Sequence, residues 1–165
     1  MSEFVPWPAK VLRTPAAPVG EVTDAHRALW DRMVAAMEAM PGVGLAAPQI
    51  GVGLRLAVVD ASEKRGKAIR LADPEIVQAW DDTATHWEGS PNLRGRDGAM
   101  LGAEVTRPAR VEVAYTDERN GRVSKGFEGL WAASVQHQID HLEGRMFFDR
   151  LSRTRRDMLL RKARR

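Results

Sequence analysis

Two histidines four residues apart near the end of the chain constrain its fold more than any other feature. His137 and His141 lie in the segment VQHQIDHLEG, and a helix over about residues 129–142 would place both on one face with Ala133. Two imidazoles so placed can reach one metal ion, as in the H-E-x-x-H motif. Where that motif has its glutamate this chain has Gln138, whose carboxamide cannot take a proton from water. By itself the pair is compatible with a metal site or with a hydrogen-bonded polar pair.

A second, amphipathic helix is predicted before a glycine-rich loop. Apolar residues recur at three- and four-residue steps over residues 24–40, Thr23 or Asp24 can cap the start, and Pro41 with Gly42 ends the helix. The glycine-rich loop PGVGLAAPQIGVG follows directly. The opening segment cannot form a regular helix because it contains four prolines. They are Pro6, Pro8, Pro15 and Pro18.

The middle of the chain is predicted to form short strands. Four segments fit this pattern: 54–60, 69–77, 111–117 and 122–129. The second is interrupted at Pro74, and the last two are joined through Asn120-Gly121, a strong hairpin signal. Residues 81–102 are predicted to be irregular because Gly and Pro are spread among charged residues. Helices at both ends with strands between them predict an α+β fold.

Length and composition indicate one globular domain over residues 1–165. The chain has 165 residues, of which 44% are hydrophobic and 28% charged, as in ordinary soluble domains. It has no cysteine, which excludes disulfides and thiolate metal ligands and fits a reducing compartment. No apolar run has the length of a signal peptide or of a membrane span. We therefore expect a cytoplasmic protein without membrane contacts.

The basic charge of the chain is concentrated at its C-terminal end. Residues 149–165 carry a net charge of +6, whereas the remainder carries −3. A basic helix or tail at about residues 150–165 fits a solvated terminal helix or one that binds an anionic partner. Of the anionic partners, RNA is favoured over lipid because the apolar side of this segment is short.

Three motifs, in this order along the chain, resemble those of bacterial peptide deformylases. GVGLAAPQIG (42–51) is similar to the family's loop G-x-G-L-A-A-x-Q. WEGSPNLRG (87–95) is similar to E-G-C-L-S followed by P-G-x-R-G, and QHQIDHLEG (136–144) to the helix Q-H-E-x-D-H-L-x-G. The opening V-L-R-T-P and the helix before the glycine loop also match. The resemblance therefore covers nearly the whole chain.

The resemblance implies both a fold and a reaction. The peptide deformylase fold has short antiparallel sheets around a central HxxxH helix, with further helices at both ends. The enzymes remove the N-formyl group from the initiator methionine of new bacterial chains. They hold Fe(II), or another divalent ion such as Zn or Ni, with two helix histidines and the motif cysteine. The helix glutamate is the general base or acid, and the first motif's glutamine and the backbone N–H after the cysteine bind the oxyanion.

Several positions of that site differ here. The chain retains Gln49, Glu88, His137 and His141. An ungapped match puts Ser90 at the cysteine position, and a neutral hydroxyl is a poor ligand for such metals. Pro91 then follows and has no N–H for an oxyanion. A gapped match that aligns PNLRG with P-G-x-R-G deletes the ligand region, and the thiolate is missing on either alignment. Gln138 at the base position removes proton transfer that typically contributes ~10²–10⁴-fold to the rate.

Other residues near these motifs could complete or line the site. Four polar residues in or beside the altered segment are candidate third ligands: His86, Glu88, Asp97 and Glu104. In the family, however, Glu88 would be a structural partner of an arginine such as Arg107, and Asp140 would orient or pack near a histidine. The methionine pocket would be lined by Val43, Gly44, Leu45, Ala133 and Ser134, small residues that also suit close packing. Trp87 could line a groove, whereas Trp131 is predicted to be buried in the core.

Three hypotheses follow. The favoured one is a deformylase-like protein with impaired or lost activity, which binds a peptide N-terminus, such as a formyl-Met peptide, or the ribosome and its rRNA through the basic tail. The second is an active metallohydrolase, a deformylase or related amidase, with a rebuilt ligand set. The third is a working enzyme into which Gln138 was introduced deliberately, which the missing cysteine argues against.

Overall fold

The computed structural model describes residues 3–163, which form three α-helices and seven strands. The helices are α1 (Asp24–Ala39), α2 (Gly129–Leu142) and α3 (Arg153–Arg161). The strands are β1 (Gly44–Ala46), β2 (Leu56–Val59), β3 (Ile69–Ala79), β4 (Thr83–Arg94), β5 (Met100–Pro108), β6 (Arg110–Thr116) and β7 (Arg122–Glu128). Three short 3-10 helices cover Lys10–Arg13, Ala47–Ile50 and Phe147–Arg150.

The strands form two antiparallel sheets, which confirms the α+β prediction. The larger sheet has the order β1-β2-β3-β6-β7, and the smaller one pairs β4 with β5. The predicted hairpin is confirmed as β6 and β7, and its turn residue Asn120 has a φ of 63°, which asparagine tolerates. The predicted strand at 69–77 is longer, because β3 continues past Pro74 with a register shift between Ala72 and Glu75.

The prediction of irregular structure at residues 81–102 was wrong. Most of this segment forms β4 and the start of β5, which pair continuously from Thr83–Pro108 to Gly89–Gly102. The glycines that suggested a loop instead make room for the Trp87 indole. A Cβ atom on Gly102 would lie 2.1 Å from that ring, and one on Gly89 would lie 2.6 Å from it. Glycine inside a strand often marks such a close approach.

Helix α1 packs on the larger sheet as its apolar periodicity predicted. Trp30, Met33 and Met37 are fully buried and share a core cluster with Leu45 and Leu56. Full burial of such side chains stabilises the fold by about 1.5–3 kcal/mol each. This helix therefore covers the sheet on the side where β1 leads into the glycine-rich loop.

Helix α2 is the central element of the fold. Its predicted bounds are confirmed, and it contacts strands of both sheets, including β1, β4 and β7. Every residue from Ala132 to Leu142 is buried, although five of them are Gln, His or Asp. Buried polar groups need hydrogen-bond partners, so the side chains facing α2 determine what its histidines can do.

Helix α3 docks on the smaller sheet through a third core cluster. Leu159 packs there with Leu93, Val105 and the buried pair Phe147 and Phe148. The rest of α3 is largely exposed, and residues 164–165 of the predicted basic tail lie outside the described residues. Between residues 3 and 163, no helix is long and apolar enough to cross a membrane.

Candidate functional site

A cavity of about 350 Å³ lies beside α2, between the residues that enter β1 and strand β4. Its apolar wall is formed by Met40, Val43, Trp87, Met100, Leu130 and Ala133. Gln49, Ser134, His137 and Gln138 also line it. The volume is in the range of ligand pockets, which are apolar with a few polar groups.

Four of the five residues expected to line a methionine pocket border this cavity. Val43, Gly44, Ala133 and Ser134 do so, whereas the fully buried side chain of Leu45 packs in the α1 core. Leu45 was therefore wrong as a side-chain contact, because β1 turns that side chain toward α1. Small residues are also needed here for close packing of β1 against α2, since a Cβ atom on Gly44 would lie 2.4 Å from Gln138 Nε2 and 2.5 Å from Ser134 Oγ.

The two histidines contact each other at their Nε2 atoms. His137 Nε2 and His141 Nε2 are 3.2 Å apart, and His137 Nδ1 lies 2.8 Å from Glu88 Oε1. Because an ionised carboxylate only accepts hydrogen bonds, Nδ1 of His137 carries a hydrogen. In the neutral ring Nε2 can then accept from the Nε2–H of His141. Burial, the largest cause, and the neighbouring His137 and Arg107 side chains hold the pKa of His141 well below its usual value.

A buried ion network supports α2 on the side of the smaller sheet. Arg107 donates to both carboxylate oxygens of Glu88, at 2.7 and 2.9 Å, and to Asp140 at 2.8 Å. Arg150 also donates to Asp140, at 3.1 Å. Burial would raise the pKa of Glu88, but hydrogen bonds and charges from His137 and Arg107 lower it to about 2. Glu88 and Asp140 are therefore committed to arginines, and Asp140 is buried rather than solvated.

Ser90 belongs to a separate hydrogen-bond network that also contains Gln49 and Asn92. The Ser90 hydroxyl donates to Asn92 Oδ1 at 2.9 Å and accepts from Gln49 Nε2 at 3.4 Å. Gln49 Nε2 also donates to Asn92 Oδ1 at 2.8 Å, and Gln49 Oε1 accepts from the backbone N–H of Ala46 at 2.9 Å. Ser90 is fully buried, and its hydroxyl hydrogen is used in the bond to Asn92.

Gln138 faces the cavity from α2, but it makes few bonds of its own. It is buried, and its Oε1 atom has no hydrogen-bond partner among residues 3–163. A buried acceptor without a partner costs about 1–3 kcal/mol. Pro91, the residue after Ser90, also lines the cavity and has no N–H to donate.

These residues fit only part of the metal site that the resemblance implies. Two imidazole Nε2 atoms at 3.2 Å are close to the separation of about 3.3 Å expected for two ligands of one tetrahedral ion. The third donor, however, is a neutral hydroxyl whose hydrogen is already donated. Over residues 3–163 no three His, Asp or Glu side chains are grouped as metal ligands. The donor set therefore does not fit the family's three-ligand site.

Of the four candidate third ligands, two border the cavity and two lie on exposed parts of β5 and of the turn before it. His86 borders the cavity, and Glu88 is held by Arg107. Asp97 accepts from the backbone of Ala99 in the exposed turn after β4, and Glu104 is exposed on β5. Trp87, in contrast, lines the cavity as suggested, and Trp131 is only partly buried against the core.

Asn92 and Met100 were not predicted as site residues. Nothing in the sequence suggests the role of Met100, because its approach depends on the pairing of β5 with β4. Asn92 could have been noticed, since it stands where an ungapped match has the serine of E-G-C-L-S. A carboxamide has two N–H donors where a hydroxyl has one O–H donor, and it reaches further.

Comparisons with known proteins agree with the fold described above. A family model described as polypeptide deformylase matches residues 1–157. A peptide deformylase of Phenylobacterium zucineum is 44% identical over 160 residues, covering 96% of this chain and 90% of the relative. The structure is also similar to a peptide deformylase from Legionella pneumophila (TM-score 0.86, 35% identity, covering 96% of this chain and 90% of that one). A Synechococcus elongatus peptide deformylase in complex with actinonin has a TM-score of 0.85 at 33% identity, with 96% and 84% of the two chains covered.

Proposed function

Because this chain belongs to the peptide deformylase family, we propose that it keeps the family's peptide pocket but has impaired or lost deformylase activity. The observation that carries the proposal is the pair of substitutions at the reacting end of the cavity. Ser90 is buried and donates its hydrogen to Asn92, and the carboxamide of Gln138 stands at the base position beside His137. Neither side chain can supply the thiolate or the proton transfer that the family's reaction uses.

The cavity supports retained binding of a peptide N-terminus. An apolar wall from Met40, Val43 and Leu130 suits a methionine side chain, which adapts well to irregular apolar surfaces. A relative of similar structure from Synechococcus elongatus was solved with the inhibitor actinonin. We infer that a formyl-Met peptide, or a related peptide, is the ligand class of this cavity.

A second function, that of an active metallohydrolase with a rebuilt ligand set, has one observation in its favour. The Nε2 atoms of His137 and His141 are 3.2 Å apart and could both bind one divalent ion. His86, one of the candidate third ligands, borders the same cavity. Bound metal would then be accompanied by hydrolysis.

Metal analysis together with an activity assay separates these functions. The full chain is purified from cells supplied with iron, nickel or zinc, and its metal content and its turnover of a formyl-Met tripeptide are measured. An active deformylase is prepared in parallel as the control. We expect clearly less than one metal per chain and turnover at least about 100-fold below the control, with the tripeptide still bound in calorimetry. One metal per chain together with turnover would contradict the proposal. Absence of tripeptide binding in calorimetry would contradict its second part, the retained peptide pocket.

The basic C-terminal segment supports a further, separable part of the proposal. Arg153, Arg161 and Lys162 are exposed on or beside α3, which is anchored through Leu159. A rigid basic helix favours association with a polyanion such as rRNA. We infer that this surface, rather than the cavity, would mediate contact with the ribosome.

A further inference from the structure

We propose that Asn92 is a positioning residue that holds the side-chain amide of Gln49 in a closed network, so that this amide is withheld from a carbonyl oxygen in the cavity. The inference rests on the proposed function only in placing the ligand's carbonyl near Gln49. It concerns a residue outside the three substitutions considered above. It predicts that the Gln49 amide, which corresponds to the family's oxyanion donor, is unavailable to a ligand, in addition to the changes at Ser90 and Gln138.

The orientation of the Asn92 carboxamide is fixed by its neighbours. Its Nδ2 atom donates to the backbone carbonyls of Val5, at 2.7 Å, and of Gln49, at 2.8 Å. Carbonyl oxygens can only accept, so the NH₂ group must face them. Oδ1 of Asn92 therefore points toward Gln49 Nε2 and Ser90 Oγ, where it accepts from both.

The carboxamide of Gln49 is consequently hydrogen-bonded at both its oxygen and its nitrogen. Oε1 of Gln49 accepts from the Ala46 N–H. This bond fixes the orientation of the carboxamide, with Nε2 on the side of Asn92. Nε2 donates to Asn92 Oδ1 at 2.8 Å and makes a longer contact with Ser90 Oγ at 3.4 Å. Gln49 is also 2% exposed. A ligand carbonyl would have to displace a buried hydrogen bond, which leaves Asn92 Oδ1 without one of its donors.

Asn92 also anchors the N-terminal segment, so its two roles must be separated. Trp7 N–H donates to the Asn92 carbonyl at 2.7 Å, and Val5 N–H donates to the Gln49 carbonyl at 3.0 Å. Asn92→Asp keeps an acceptor for Gln49 but loses the donors to Val5 and Gln49. Asn92→Ala loses both. Asn92→Asp, whose second oxygen would face those two carbonyls in a buried place, should be the more destabilised variant, and only Asn92→Ala should free Gln49.

Peptide binding tests this difference. Calorimetry measures the affinity for a formyl-Met tripeptide and for the same peptide without its formyl group. We expect Asn92→Ala to bind the formylated peptide about tenfold more tightly than the unaltered chain, the size of one net hydrogen bond. Asn92→Asp should show no such gain, and neither should Asn92→Ala combined with Gln49→Ala. Equal behaviour of the Ala and Asp variants, or an equal gain for the unformylated peptide, would overturn the proposal.

Hydrogen exchange tests the closed network without any variant having to fold. Side-chain amides of ¹⁵N-labelled chain are followed by NMR, with the exposed Gln78 as internal control. The side-chain amide protons of Gln49 should exchange at least about tenfold more slowly than those of Gln78, because the Gln49 amide is buried and hydrogen-bonded. Exchange as fast as that of Gln78 would overturn the proposal. Turnover of the peptide would sink the proposed function alone and would leave this measurement valid.

Discussion

His137 donates from Nδ1 to the carboxylate of Glu88 at 2.8 Å, and the same carboxylate receives two hydrogen bonds from Arg107. This arrangement orients the imidazole with its Nε2 atom toward His141. Orientation of a ligand histidine by a carboxylate is usual in metal sites. The bond that orients His137 comes from Glu88, which Arg107 holds, so it does not depend on the side chain at position 90.

Glu88→Gln should destabilise the fold by about 3 kcal/mol. The substitution leaves the buried Arg107 facing an amide NH₂, and removal of one partner from a buried ion pair typically costs about 3–5 kcal/mol. Urea unfolding followed by circular dichroism gives the free energy. The matched control is Asp82→Asn, which alters an exposed pair with Arg110 at 3.7 Å and should change stability by less than about 1 kcal/mol. Equal effects of the two substitutions would contradict the structural role of Glu88.

Restoring the base alone should not restore deformylase activity. In Gln138→Glu the hydroxyl of Ser90 would still donate to Asn92, and the third metal ligand would still be missing. We expect metal content and turnover of a formyl-Met tripeptide to stay near those of the unaltered chain. The double variant Gln138→Glu with Ser90→Cys should raise metal content toward one per chain, because a thiolate is a strong ligand. Turnover by the single variant would show that the interpretation of Ser90 is wrong.

Gly44→Ala should disturb the cavity by displacing Gln138. Its new Cβ atom would lie 2.4 Å from Gln138 Nε2 and 2.5 Å from Ser134 Oγ, and overpacking of this kind costs about 1–3 kcal/mol. Gly53→Ala is the matched control, since nothing lies within 4 Å of a Cβ atom there. Thermal unfolding and peptide calorimetry on both variants give the comparison. A Gly44→Ala protein as stable as Gly53→Ala would mean that the β1 backbone is further from α2.

The sequence predicted those parts of the fold whose signals are local. The bounds of α2, the start of α1 and the turn at Asn120 each follow from periodicity, capping or turn chemistry, and the structure confirms them. The β4–β5 hairpin was missed because its glycines accommodate Trp87 from the same strand and from the facing one. That requirement is tertiary, and only the pairing of the two strands reveals it.

The candidate site divides in the same way. Motif spacing was enough to propose that His137, Gln138 and Gln49 lie around one cavity, and all three line it. Asn92 was not predicted because its side-chain hydrogen bonds reach Val5 and Gln49, 87 and 43 residues away in sequence. Leu45 was misplaced for a related reason, since a strand of three residues gives no alternation from which to choose its buried face.

Trp87→Ala should weaken peptide binding without loss of stability. The indole is 59% exposed yet lines the cavity beside Met100, so its apolar surface is available to a ligand. Loss of that contact should raise the Kd for a formyl-Met tripeptide about tenfold. Trp80→Ala is the control, because Trp80 lies under Arg110 away from the cavity. Unchanged affinity in the Trp87 variant would exclude the indole from the binding surface.

The charge of the C-terminal helix should govern any association with RNA. Truncation of residues 152–165 should weaken that association, but it also removes Leu159 from the core, so charge substitutions test the idea more cleanly. The variant Arg153→Gln, Arg161→Gln, Lys162→Gln alters exposed positions only. Its log–log salt slope for single-stranded RNA should fall by up to about 2, at 0.7 for each lost phosphate contact. The control exchanges Lys64, Arg119 and Lys125, which are equally exposed and lie outside α3, for glutamine. Equal slopes for the two variants would mean that binding follows net charge and that α3 is a solvated terminal helix.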